Sequence, residues 1–111
     1  MLIELCSLEE VPIDTMKRVD KTIDDKLRKF CVVNFGDTVY VIDDTCSHAE
    51  FSLSDGFLDT DKCEVECWKH SATFDLKSGK PTCLPATQAV ATYVTDVVED
   101  KVFIEIEESN V

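Results

Sequence analysis

The sequence predicts an all-β fold, a β-sandwich or small barrel, and three observations carry the prediction. Short runs rich in Val, Ile, Phe and Tyr recur along the chain. Turn residues separate them, as at Gly36-Asp37, Ser78-Gly79 and Glu99-Asp100. No long stretch repeats its apolar residues with a helical period. Short strands at regular spacing with turn signals between them indicate a sandwich or barrel. With 111 residues and no repeat, low-complexity segment or internal linker, residues 1–111 are expected to form a single domain. A chain of this size can bury about two-thirds of its unfolded surface, enough for a core without disulfides. The ordered part is expected over about residues 2–107, with Glu107 to Val111 fraying.

Taken in order, residues 2–6 alternate weakly and read as a strand. Ser7-Leu-Glu-Glu10 has the form of a capping box, and Pro12 limits the helix it opens to about one turn. Met16 to Val19 reads as a second strand, with Asp24-Asp25 in the turn beyond it. Lys29 to Phe35 and Thr38 to Ile42 form the clearest hairpin, turned at Gly36-Asp37 in type II′ geometry, and deliver the chain to Cys46. Ser52-Leu-Ser-Asp-Gly56 is turn chemistry. Residues 63–66 and Thr73 to Leu76 read as strands, the second turned by Ser78-Gly79. Pro81 and Pro85 make the next segment extended and irregular. Thr92 to Val98 and Val102 to Ile106 form a final hairpin.

The net charge is −12, from 23 acidic and 11 basic side chains. Nucleic-acid binding draws on clustered Lys and Arg, so this balance excludes nucleic acid as the expected partner. It suits solubility and electrostatic steering toward a basic protein surface. Met1-Leu-Ile-Glu-Leu lacks the basic and apolar regions of a secretion signal, and no apolar run can span a bilayer. No membrane association is expected. The expected compartment is the reducing cytoplasm, where the six cysteines serve as thiols or ligands rather than disulfides.

The candidate chemistry lies between Cys46 and His70. The chain reads Cys46-Ser-His48, then eighteen residues, then Cys67-Trp-Lys-His70, and its only two histidines fall in this frame. Two thiols and two imidazoles in short pairs can hold a metal centre from two facing loops. Tetrahedral zinc accepts the same donors, but zinc fingers pair Cys with Cys and His with His, whereas each pair here mixes the two. Cys63, four residues before Cys67, is the rival ligand, although its use would lose the two-residue spacing to His70. Cys6, Cys31 and Cys83 read as small buried hydrophobes.

The order Cys-x-His … Cys-x-x-His resembles the Rieske [2Fe–2S] motif, in which two cysteines hold one iron and two histidines the other. Asp43-Asp-Thr-Cys46-Ser-His48-Ala-Glu-Phe-Ser-Leu-Ser-Asp-Gly56 is similar to the first cluster loop of soluble Rieske-type ferredoxins. Phe74-Asp-Leu-Lys-Ser-Gly-Lys-Pro81, with Leu84-Pro85-Ala86 after it, is similar to the segment beyond their second loop. The resemblance spans roughly residues 2–107. It implies a Rieske-type sandwich with a cluster-binding subdomain of two loops, about residues 44–56 and 66–75. It further implies one [2Fe–2S] cluster per chain, with Cys46 and Cys67 on one iron and His48 and His70 on the other.

High-potential relatives join the two loops with a disulfide, and the corresponding positions here are Phe51 and Lys69. The resemblance therefore implies the lower part of the Rieske range of about −150 to +300 mV, still above the roughly −400 mV of Cys₄ plant-type ferredoxins. The second loop departs from the usual Cys-Pro-x-His-Gly: Trp68 replaces the proline and Ser71 the glycine. Trp68 can shield the centre, contact a partner or pack on its own loop. Ser71 can donate to a cluster sulfur, Lys69 can point into water, and Pro85 matches a segment that covers the cluster in relatives.

No catalytic triad, phosphate-binding loop or nucleotide fingerprint occurs, and three glycines leave little room for one. The resemblance implies an electron-transfer protein and not an enzyme. It would be a monomeric carrier between a flavin-dependent reductase and the terminal oxygenase of a ring-hydroxylating dioxygenase. The alternatives are a ferredoxin serving iron–sulfur cluster assembly or another oxidoreductase, and a redox- or iron-sensing binding module.

Overall fold

The computed structural model describes residues 2–45, 52–68, 72–83 and 88–106, with the backbone alone at Cys83. They form an all-β fold of three antiparallel sheets, and no α-helix occurs among them. The first sheet is built from β1 (Leu2–Ser7), β10 (Thr95–Val98) and β11 (Lys101–Glu105), in the order β1-β11-β10. The second runs β2 (Thr15–Ile23), β3 (Lys26–Asn34), β4 (Val39–Asp43), β9 (Thr92–Tyr93). The third runs β5 (Phe57–Asp59), β6 (Glu64–Glu66), β7 (Thr73–Asp75), β8 (Pro81–Cys83).

The second sheet is the middle layer. Phe30, Val32 and Val41 face a core shared with Leu5, Val19, Val102 and Ile104 of the first and second sheets. The alternate residues Cys31, Val33 and Ile42 face a second core with Leu53, Val65, Cys67, Ala72 and Phe74. Both faces of β3 are therefore covered, which is why Phe30-Cys-Val-Val33 is continuously apolar instead of alternating. Asn34, buried at its end, is satisfied: Nδ2 donates to the Val11 carbonyl and Oδ1 accepts from the Gly36 amide, both at 2.7 Å.

The expected turns occur where their residues predict them. Ser7 to Glu10 forms a capping box on the 3-10 turn Leu8–Glu10, with the Ser7 amide donating to Glu10 Oε2 at 2.8 Å. Gly36 takes φ +93, as the first position of a II′ turn requires. Asp24-Asp25 and Glu99-Asp100 both take two successive positive φ values, the mark of type I′ hairpins.

Several extents differ from expectation. The second strand reaches Ile23 rather than Val19, because Asp20 and Lys21 lie on it as ordinary ladder residues paired with Lys29 and Arg28. Phe57–Asp59 forms a strand not expected from the sequence, and Pro81–Cys83 is a strand rather than an irregular segment. It tolerates its proline at the first residue of an edge strand. The expected strand Thr92 to Val98 is split at exposed Val94: Thr92–Tyr93 joins β4 and Thr95–Val98 joins β11. No helix among the described residues is long and apolar enough to cross a membrane.

Candidate metal centre

Strand β4 ends at Asp43, and the next two residues close the base of the first loop. Thr45 forms an isolated bridge with Ser52. The Asp44 carbonyl accepts the Leu53 amide at 2.5 Å, and Asp44 Oδ1 accepts the Ser54 amide at 2.9 Å. The chain entering the loop is thus bonded to the chain leaving it. Asp44 is fully buried, and its Oδ2 lies 3.9 Å from Arg18 Nε on β2. Arg18 also spans Asp20, at 2.8 and 3.1 Å, and approaches Ser52 Oγ at 3.4 Å.

A second clamp lies on the other side of β4. The Tyr93 hydroxyl donates to Asp43 Oδ1 at 2.5 Å and accepts from Arg28 Nη2 at 2.6 Å. Its ring packs edge-on against Phe30 at 5.1 Å, and the Arg28 guanidinium lies over both rings. Burial, reinforced by the hydrogen bond to Asp43 and only partly offset by Arg28, pushes the phenol up to about 12.

The second loop is closed by a hydrogen bond from the Cys67 amide to the Ala72 carbonyl at 2.7 Å. The Cys67 side chain is fully buried in the core that also holds Leu53 and Ala72. The two loop bases meet at Gly56, where a Cβ would stand 1.9 Å from the Glu66 carbonyl and 3.2 Å from that of Leu53. Only glycine lets the strand after the first loop lie this close to the residue before Cys67.

Of the four candidate ligands, Cys67 lies in the described residues, whereas Cys46, His48 and His70 lie outside them, as do Phe51, Lys69, Ser71 and Pro85. Trp68 is 46% exposed beside Cys67. Cys63 lies at the opposite end of β6, with its carbonyl bonded to the Leu76 amide, roughly 13 Å from Cys67 along an extended strand. Burial, followed by the hydrogen bond the phenol donates to Cys63, holds Tyr40 above its ordinary value, so Cys63 is engaged with Tyr40. Cys6 and Cys31 are buried thiols, as expected of small hydrophobes. Asp44 and Gly56 fall within the loop segment the sequence marks, but their contacts do not show in it, and Arg18 and Tyr93 carry no motif because they reach the site from strands distant in sequence.

A fully buried thiol where two hydrogen-bonded loop bases meet fits a cluster-bearing site, since the shell around a metal-bound thiolate controls its access to solvent. The Rieske [2Fe-2S] domain model matches residues 1–94. The chain belongs to the Rieske [2Fe–2S] domain family. The 3-phenylpropionate/cinnamic acid dioxygenase ferredoxin subunit of Escherichia coli (strain K12) is 38% identical to this Rieske chain, covering 94% of it and 92% of the relative. Among solved structures, the ferredoxin of carbazole 1,9a-dioxygenase from Nocardioides aromaticivorans IC177 superposes with a TM-score of 0.85 at 28% identity, covering 96% of this chain and 99% of that one. A chain in a complex of reduced oxygenase and oxidized ferredoxin of carbazole 1,9a-dioxygenase gives 0.80 at 29% identity, covering 93% of this Rieske chain and 100% of its own length. The cofactor of the family is the [2Fe–2S] cluster.

Proposed function

We propose that the chain is a one-electron carrier. In this reading Cys46 and Cys67 hold one iron of the [2Fe–2S] cluster and His48 and His70 the other, and electrons pass from a flavin-dependent reductase to the terminal oxygenase of a ring-hydroxylating dioxygenase. When bound, the cluster accepts and returns a single electron. The chain's own part is to hold the loops. Asp44 joins the two ends of the first, Cys67 and Ala72 close the second, and the Gly56 contact keeps the two bases together. A rigid frame limits reorganisation when charge arrives, which suits a carrier rather than a catalyst.

The observation that carries the reading is likeness over nearly the whole chain to ferredoxin subunits of dioxygenase systems, joined to a buried Cys67 at the junction of the two loop bases. The oxygenase as acceptor is supported by the carbazole dioxygenase complex of oxygenase and ferredoxin. We take the chain as a single domain over 1–111, a monomer, and cytoplasmic; the buried free thiols Cys6 and Cys31 accord with a reducing compartment.

Reconstitution tests this. The reductase of the 3-phenylpropionate/cinnamic acid dioxygenase system, supplied with a reduced nicotinamide as electron source, and its oxygenase, supplied with dioxygen, are mixed with the cluster-loaded chain, and its visible absorption is followed. Bleaching by reductase, recovery on adding oxygenase and substrate, and product formation only with all three are expected. A loaded chain that neither bleaches nor supports turnover would favour a sensing module.

A further inference from the structure

The third sheet has one face against the core and one in water. Leu58, Val65 and Phe74 point inward, so Phe57, Asp59, Glu64, Glu66 and Thr73 line the outer face by strand alternation. With Thr82 they line a groove of about 730 Å³. Phe57 is 64% exposed and paired across the strands with Glu66, the residue before Cys67. The Asp59 carboxylate is occupied with the amides of Asp61 and Lys62, and the Thr73 and Thr82 hydroxyls bond each other at 2.6 Å. Among the described residues that line the groove, three carboxylates stand against one cation, Lys62.

We propose that this groove docks a basic surface of the redox partner, with Phe57 entering an apolar recess flanked by Lys or Arg. This rests on the carrier reading for the partner's role and on charge complementarity for its chemistry. A groove with three carboxylates in a chain of net charge −12 draws a cationic surface and repels an acidic one. An exposed aromatic ring within a polar rim is the composition of an interface anchor, because its desolvation is favourable only when a partner covers it. The strand bearing the two glutamates ends at Glu66, the residue before Cys67, so a partner seated here lies along the flank that leads to the candidate centre.

The test uses the cluster-loaded, ¹⁵N-labelled chain in its oxidised form, titrated with an acetylated Lys-Leu-Lys-Lys-Leu-Lys peptide. Glu64→Lys and Phe57→Ser probe the groove, and Glu9→Lys, an exposed site in the 3-10 turn after β1, makes the same charge change elsewhere. The expected result is amide shifts concentrated on β5, β6, β7 and β8. Each groove variant should weaken binding by about threefold to tenfold, and Glu9→Lys much less. Shifts spread over all acidic segments, no binding, or equal loss in Glu9→Lys and Glu64→Lys would overturn the proposal. Failure of reductase to bleach the chain would instead overturn the carrier reading and leave the groove's preference for a basic chain standing. Visible and EPR spectra of each variant establish that the cluster is intact.

Discussion

The buried carboxylate of Asp44 faces Arg18 across the base of the first loop, Oδ2 to Nε at 3.9 Å. Oδ1 is satisfied by the Ser54 amide, while Oδ2 has no hydrogen-bond partner among the described residues. The Arg18 side chain is 41% exposed and is drawn more closely to Asp20, at 2.8 Å, so solvent screens its pull on Asp44. The stabilising part of the arrangement is the hydrogen bond from Ser54, which fixes the spacing of the two loop ends.

Replacing Asp44 with Ala leaves the half-buried Ser54 amide without its acceptor. We expect a loss of about 1–3 kcal/mol in urea denaturation. Asp44→Asn keeps an acceptor oxygen and should lose less. Equal losses in the two variants would mean that the charge facing Arg18, rather than the hydrogen bond, matters.

Gly56→Ala puts a methyl group 1.9 Å from the Glu66 carbonyl, and backbone must move to admit it. Overpacking of this kind costs about 1–3 kcal/mol or more. Because the contact joins the two loop bases, iron and sulfide per chain should fall together with the melting temperature. A stable variant with full iron content would show that the loops are not coupled here.

Alkaline pH should destabilise the fold. Burial holds the Cys6 and Cys31 thiols above their ordinary value of 9.0, and Tyr93 rises from 10.0 to about 12. The native state therefore keeps protons that the unfolded chain has lost. Each contribution is complete below the unfolded pKa and disappears as pH climbs through the folded one. The urea midpoint should decline from about pH 9 onward, and Tyr93→Phe should flatten the part of the decline above pH 10. A midpoint that rises over this range would contradict the assignment.

Two cysteines close in sequence should behave differently. Cys67→Ser should remove the cluster absorption, since this thiol lies buried at the loop junction. Cys63→Ser should retain it, since Cys63 sits at the far end of β6 beside Tyr40. The reverse pattern would make Cys63 the ligand.

The sequence made the fold class and the turns legible because the physics there is local. Gly36-Asp37 and the Ser7-to-Glu10 box act through their own backbone. Strand limits were less legible. The second strand is expected to end at Val19, yet Asp20 and Lys21 pair across to β3, since charged residues continue a ladder as far as the two-residue Asp24-Asp25 turn. The division at Val94 was hidden because Thr92 to Val98 is uniformly strand-like; its allocation to two sheets is decided by Tyr93 reaching Asp43 and Arg28, more than fifty positions away in the latter case. The ligand frame could be read from Cys and His spacing, while Arg18, Asp44 and Gly56 acquire meaning only when β2, the loop ends and β6 come together.

The electron-carrier reading requires Cys46, His48, Cys67 and His70 to hold an iron–sulfur cluster, and one measurement addresses this directly. The chain is purified without oxygen, its iron, sulfide and zinc are determined, and an EPR spectrum is recorded after dithionite reduction. A red-brown protein is predicted, with iron and sulfide in the ratio of one [2Fe–2S] cluster per chain and the low average g of mixed His and Cys ligation. One zinc per chain with a silent spectrum would contradict it and make the frame structural.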